Sequence, residues 1–134
     1  MINGDTYSDF DISEFLNFHQ KRCALLTIFS MHGSLAGKGA IKTNSSGRVV
    51  GFSEKQNSGT GIFNAGAYLI EPGALEALRR KIWGRTKQKF SLEEDGFPVI
   101  MASKRLYSYR GEGRFLDIGT FESLAMAPAF LSQR

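Results

Sequence analysis

The sequence predicts a single α/β domain, a mixed sheet with flanking helices, on three observations. Runs that alternate or concentrate apolar residues as strands do are interleaved with capped, helix-patterned stretches along the whole length. A chain of 134 residues, 42% hydrophobic and 22% charged, has the size and composition to enclose one core. No repeat, low-complexity tract or linker divides it, so residues 1–134 read as one domain.

The chain opens on MINGDTYSDFD. Asn3-Gly4-Asp5 is the kind of acidic turn that α/β proteins place at the carboxyl end of a buried strand, where ligands collect. Only Met1 and Ile2 precede it. It is either an ordinary N-terminal loop or a functional turn lacking most of its strand.

FDISEFLNFHQKR then predicts a helix, with Asp11 and Glu14 spaced as a capping box and Phe15, Leu16 and Phe18 as its apolar positions. CALLTIFSM is β-like and leads into the Gly-rich loop GSLAGKG. GAIKTNSSGRVVGFSEK alternates about NSSG, as a hairpin does. GIFNAGAYLIEP is a further strand that passes through Pro72 into the helix GALEALRRKIW. SLEEDGFPVIMAS predicts a helix begun by a Ser91/Glu94 capping box and interrupted near Pro98. KRLYSYRGEGRFLDIGT reads as a second hairpin turning on RGEG, and TFESLAMAPAFLSQR as an amphipathic helix capped by Thr120.

Several classes of function are disfavoured. The formal net charge is +4, but Lys and Arg are scattered apart from RRKIWGRTKQK around Trp83, which reads as a solvated helix end, so no specific nucleic-acid partner is expected. Cys23, the single cysteine, lies among apolar neighbours and is expected to be a buried structural thiol in a reducing compartment. No run approaches the roughly 18 apolar residues of a membrane span and no signal peptide is visible, so a cytoplasmic protein without a membrane partner is expected. GSLAGKG lacks the Ser/Thr and spacing of a P-loop, no GxGxxG follows a strand, and no nucleophile elbow is present. One Cys and two His supply no zinc framework, and neither His19 nor His32 has a second ligand at a suitable spacing.

Oxygen chemistry remains. Asp5 lies in a turn and Asp117 ends the strand-like FLD. Two strand-end carboxylates together with phosphate oxygens are a usual cradle for Mg²⁺, although aspartates at turns also act as local caps. Glu54 and Lys55 end a β-like run and pair an acceptor for sugar hydroxyls with a donor for phosphate; a surface charge pair is the plainer reading. Asn64 and Gly66 fall within a strand, where a glycine permits close approach of a ligand or of another backbone.

NGDTYSDFD, GAIKTNSSGRVVGFSEK, NAGAYLI, FSLEEDGFP and FLDIGTFESL occur in an order that resembles the sugar-1-phosphate nucleotidyltransferases, nearest to D-glycero-D-manno-heptose 1-phosphate and mannose-1-phosphate guanylyltransferases. The resemblance spans nearly the whole chain and implies part of a nucleotide-diphospho-sugar transferase, Rossmann-like fold. It assigns Asp5 and Asp117 to Mg²⁺, Glu54 and Lys55 to the sugar ring and its phosphate, and Gly39, Asn64 and Gly66 to the sugar pocket. Two features depart from the family pattern: no aromatic residue precedes Gly39 in GSLAGKGAI, and Phe121 stands where many relatives have Pro.

The GGxGTRL loop that grips the nucleoside triphosphate, and the Pro-Lys motif, are not among these residues. The resemblance is therefore to the C-terminal half only. It implies a protein that binds a sugar 1-phosphate or nucleotide sugar but does not catalyse nucleotidyl transfer alone. The alternatives are an enzyme completed by a partner chain carrying the N-terminal half, or a non-catalytic oligomeric remnant. A homodimer is expected, because CALLTIFSM and GIFNAGAYLI would lose neighbours with that half.

Overall fold

The computed structural model describes residues 1–55, 58–82 and 89–133. Asp11 accepts hydrogen bonds from the backbone N–H groups of Ser13 (2.7 Å) and Glu14 (3.2 Å) and so starts α1 (Ile12–Lys21). Glu14 itself accepts from Tyr109 Oη at 2.9 Å. After α1 come β2 (Leu26–Ser34), β3 (Gly39–Thr43), β4 (Val49–Lys55), β5 (Thr60–Ile70) and α2 (Pro72–Ile82); a three-residue β1 (Thr6–Ser8) precedes it. The β3–β4 turn is closed by Asn44 Oδ1, which accepts from Ser46 N (3.1 Å), Ser46 Oγ (2.8 Å) and Arg48 N (3.0 Å), an Asx turn as NSSG predicts.

The stretch read as one interrupted helix is a π-turn (Leu92–Gly96) followed by α3 (Phe97–Ala102), with Pro98 in the first turn of α3. Ser91 Oγ accepts from Glu94 N at 3.2 Å, but the carboxylate that returns to Ser91 N is that of Asp95, at 2.9 Å. β6 (Leu106–Arg110), β7 (Phe115–Asp117) and α4 (Phe121–Ser132) complete the chain.

Five strands form one sheet in the order β4-β3-β5-β2-β6, with β2 and β6 parallel and the other pairs antiparallel. Alternation along β2 separates two cores. Leu26 and Ile28 pack with Ala74 and Leu78 of α2 and Phe97 and Ile100 of α3, while Phe29 and Met31 pack with Phe15 of α1 and Phe63 of β5. The mixed sheet with flanking helices is thus present, and no described helix is long and apolar enough to cross a membrane.

Four sequence expectations are corrected. RGEG does not turn a hairpin: β6 joins β2, whereas β7 pairs with β1 in a separate two-stranded sheet. That pairing continues in a 2.9 Å bond from Asp9 N to Arg114 O, and the Arg114 guanidinium reaches Asp9 Oδ2 and Tyr7 Oη. Cys23 is exposed, because the chain turns there (φ 46°) and β2 begins only at Leu26. α4 has no buried residue; Phe121, Leu124, Met126 and Leu131 are all exposed and only Ser123, Ala127 and Phe130 are half-buried, with Phe130 edge-on to Tyr7 at 6.0 Å, so most of its apolar side chains face outward. Finally, β2 lies between β5 and β6, and β5 between β3 and β2, so the two strands expected to have lost neighbours are central.

Candidate functional site

The site is built around an irregularity in β5. Asn64 lies opposite Ser30, yet Ala67 lies opposite Phe29, so Ala65 and Gly66 have no counterpart on β2. Gly66 adopts φ +77°, and a Cβ there would stand 2.7 Å from Thr6 Oγ1 and 3.1 Å from Asn3 Nδ2. Both the dihedral and the space therefore call for glycine. The bulge turns Asn64 so that its Oδ1 accepts from Gly66 N (3.0 Å), while its Nδ2 donates to Tyr68 Oη (2.8 Å) and Glu93 Oε1 (2.5 Å). Burial, reinforced by the neighbouring charge of Glu93, pushes the Tyr68 hydroxyl up to about 12.

The N-terminal residues lie along the bulge. Tyr68 N donates to Met1 O (2.9 Å), Met1 N to Tyr68 O (3.0 Å) and Asn3 N to Gly66 O (2.8 Å), with Ile2 opposite Ala67. Asn3-Gly4-Asp5 is therefore a turn leaving a short extended segment paired with β5. β1 follows it and places Thr6 opposite Asp117, while Ile118 N donates to Asp5 O at 2.8 Å. The two carboxylates converge on Gly119: Asp117 Oδ1 accepts from Gly119 N at 2.8 Å, and a Cβ at Gly119 would meet that oxygen at 3.0 Å and Asp5 Oδ2 at 3.5 Å.

On the opposite wall, Gly39 begins β3, and a Cβ there would lie 2.6 Å from Phe52 Cζ. The aromatic ring at Gly39 is supplied across the hairpin. Beside it, Lys38 Nζ sits 4.2 Å from the Phe63 ring centroid and 5.3 Å from that of Phe115, and donates to Ser34 O at 3.1 Å.

A cleft of about 420 Å³ brings Asp5, Gly39, Asn64, Gly66 and Asp117 together. Glu54 and Lys55 end β4, with Lys55 opposite Gly39, and their side chains lie outside the described residues. Glu93, Glu94, Lys38 and Phe52 also line the cleft and are not named as site residues from the sequence, where Glu94 figures only as part of a helix cap. The two glutamates are presented by the π-turn, whose only sequence trace is the run SLEEDGFP.

Four carboxylates (Asp5, Asp117, Glu93, Glu94) thus face one cation, Lys38, among the described residues lining the cleft. No group of three or more His, Cys, Asp or Glu side chains suited to a metal ion occurs among the described residues. An ion between Asp5 and Asp117 would complete its shell with water or ligand oxygens. That hard, oxygen-only donor pair fits Mg²⁺, which characteristically takes one or two protein carboxylates and substrate phosphates.

His19 lies elsewhere. It is buried on α1, with Nδ1 2.7 Å from Thr27 Oγ1 and Nε2 3.0 Å from Glu71 Oε1.

The profile of the nucleotidyl transferase family matches residues 1–134. The chain is 30% identical over 135 residues to a mannose-1-phosphate guanylyltransferase of Mycobacterium tuberculosis, covering 98% of this chain and 36% of that protein. It is also 30% identical over 122 residues to mannose-1-phosphate guanylyltransferase 1 of Arabidopsis thaliana, covering 89% of this chain and 32% of that one. Among solved structures it resembles HddC from Yersinia pseudotuberculosis, with a TM-score of 0.73 and 26% identity over 97% of this chain and 53% of HddC. HddC has also been solved in complex with GMP-PN. The chain spans about a third of the length of these curated relatives and about half that of HddC.

Proposed function

Since this chain belongs to the nucleotidyl transferase family, we propose that it forms the sugar-phosphate side of a nucleotidyl transfer site, with Asp5 and Asp117 holding Mg²⁺. The observation that carries this reading is the convergence of those two carboxylates on Gly119 at the cleft shared with Gly39, Asn64 and Gly66. Bound there, Mg²⁺ would neutralise phosphate oxygens as a sugar phosphate attacks the α-phosphate of a nucleoside triphosphate and pyrophosphate leaves. The chain's own residues supply position: the bulge at Gly66 fixes Asn64, Gly39 lets the Phe52 ring close over its backbone at the cleft wall, and Glu54 and Lys55 are assigned to the sugar ring and its phosphate.

Transfer by these 134 residues alone is not proposed, because no glycine-rich triphosphate loop lies within them. Each positioned donor of such a loop is worth about 2.7–4 kcal/mol of barrier. Binding of a sugar 1-phosphate or nucleotide sugar is the function proposed for this chain. A homodimer is proposed with it, now on the exposed apolar side chains of α4 rather than on open strand edges. A mass near 14.8 kDa at every concentration in light scattering would overturn that part.

The binding test is thermal. With Mg²⁺ present, mannose, glucose or heptose 1-phosphate, or a nucleotide sugar, should raise the melting temperature by linkage. Asp117→Ala should remove the Mg²⁺-dependent part of the rise. No shift from any of these ligands at millimolar concentration would sink the proposal.

A further inference from the structure

Resting on that reading, we propose that Glu93 reads the sugar, restricting the cleft to neutral sugars that donate a hydroxyl to it. The hydrogen-bond inventory of Asn64 leads there. Its amide has two N–H donors, and both are committed inside the protein, to Tyr68 Oη and Glu93 Oε1. Its orientation is fixed from both ends, since Gly66 N–H requires the oxygen on one side and the Glu93 carboxylate requires the NH₂ group on the other. Asn64 therefore has no hydrogen left to give a ligand. What it retains is the second lone pair of Oδ1.

Tyr68 has nothing to offer the cleft either. It is almost fully buried, its oxygen accepts from Asn64, and it points its proton toward Glu93 Oε1 at 3.4 Å. Glu93 Oε1 thus takes both internal bonds of the cluster. Glu93 Oε2 has no hydrogen-bond partner among the described residues, and Glu93 lines the cleft.

This cluster consequently presents acceptors only: one carboxylate oxygen and one amide lone pair. A ligand atom placed against them must be a donor, which in a sugar is a hydroxyl. A deoxy position would leave the carboxylate oxygen unpaired, and a carboxylate substituent would add to the four anionic side chains already around the cleft. A site built to bond a hydroxyl rejects the analogue lacking it far more strongly than an apolar pocket rejects a missing methylene. The sugar-phosphate reading alone does not require this discrimination; it follows from the Asn64–Tyr68–Glu93 arrangement.

Glu93→Gln is the informative substitution. It keeps an oxygen for Asn64 and Tyr68 while turning the outer acceptor into a donor and removing its charge. Isothermal titration with Mg²⁺ would compare the tightest binder among mannose, glucose and heptose 1-phosphates with its singly deoxygenated counterparts and its uronic acid counterpart. For the unmodified protein, at least one deoxy sugar should bind about 10- to 100-fold more weakly than its parent, and the uronic acid at least as poorly. Glu93→Gln should narrow the uronic acid penalty and weaken the deoxy discrimination without abolishing it, because its NH₂ group can still donate to the hydroxyl oxygen, through a neutral bond in place of a charge-assisted one; Mg²⁺-dependent binding of the parent should stay measurable.

Glu93→Asp withdraws the carboxylate but keeps the charge. It should relax the deoxy discrimination while preserving the uronic acid penalty, and it serves if the Gln variant does not fold. Sugar phosphates that bind the unmodified protein with no deoxy preference, or a preference undiminished in both variants, would overturn the role of Glu93 and leave the sugar-phosphate reading standing. No binding of any sugar phosphate to the unmodified protein would overturn both.

Discussion

On one face of the sheet Asn64 is bonded on both sides, to Tyr68 and to Gly66, and its cluster ends in Glu93. On the other face His19 is bonded on both sides, to Thr27 and to Glu71. Each cluster ties strands of the sheet to a neighbouring segment and ends in a partly exposed glutamate. They differ in what is left over. Glu93 keeps an oxygen at a cleft that also holds Asp5 and Asp117, whereas the oxygen that Glu71 keeps faces a hollow with no further carboxylate among the described residues lining it. A buried polar network acts as structure when the acceptor it leaves over stands alone and becomes a site when that acceptor shares a cleft with further convergent polar groups.

That contrast is broken most severely at His19. Thr27 is fully buried, so His19→Ala removes a bonded ring from the core and leaves Thr27 Oγ1 without its partner. A loss of about 2–4 kcal/mol in urea denaturation is expected. The rise in melting temperature given by a sugar 1-phosphate should stay the same. A variant of full stability, or one whose ligand-induced rise disappears while the fold persists, would show that the His19 cluster is not purely structural.

Gly66→Ala tests the other cluster at its backbone. Alanine at φ +77° is strained, and its Cβ would meet Thr6 Oγ1 at 2.7 Å, so a loss of about 1–3 kcal/mol is expected. Unlike the His19 change, this one should also weaken sugar-phosphate binding, because the bulge is what turns Asn64. Equal ligand-induced melting shifts in Gly66→Ala and in the unmodified protein would separate the bulge from the site.

The sequence carried one of these clusters better than the other. Asn64 and Gly66 are two residues apart, and a glycine inside an apolar strand is itself a signal, so NAGAYLI could be singled out. Asp5 and Asp117 could be named as strand-end carboxylates and joined by family resemblance. Their meeting depends on the β1–β7 pairing, which no local pattern reveals because RGEG looks like a hairpin turn. Glu93 lies 29 residues from Asn64, and the π-turn that presents it reads locally as the start of an ordinary capped helix. His19 stands out in the sequence only as a histidine with no second ligand at a suitable spacing, because its partners are a threonine on β2 and the glutamate just after β5. Cys23 shows the opposite failure. Its apolar neighbours are indeed buried or half-buried, but the turn after α1 directs this one position to solvent.

Tyr68 offers the smallest change at neutral pH and the clearest dependence on pH. Tyr68→Phe removes the hydroxyl that accepts from Asn64 and faces Glu93, for an expected loss of about 1 kcal/mol at pH 7. Burial and the Glu93 charge raise the folded-state pKa of Tyr68 to about 12 from 10.0. Because the unfolded chain gives up this proton more readily, the tyrosine's contribution is complete below pH 10 and declines as pH rises from 10 toward 12. A two-unit shift bounds that decline at about 3 kcal/mol. The unmodified protein should therefore fall toward and then below Tyr68→Phe in stability across that window, with changes common to both chains cancelling in the comparison. Tyr109, also raised by burial and by Glu14, is present in both chains and cancels with them. Parallel stability curves from pH 9 to 12 would mean that Tyr68 ionises as freely in the folded chain as in the unfolded one, contrary to its place between Asn64 and Glu93.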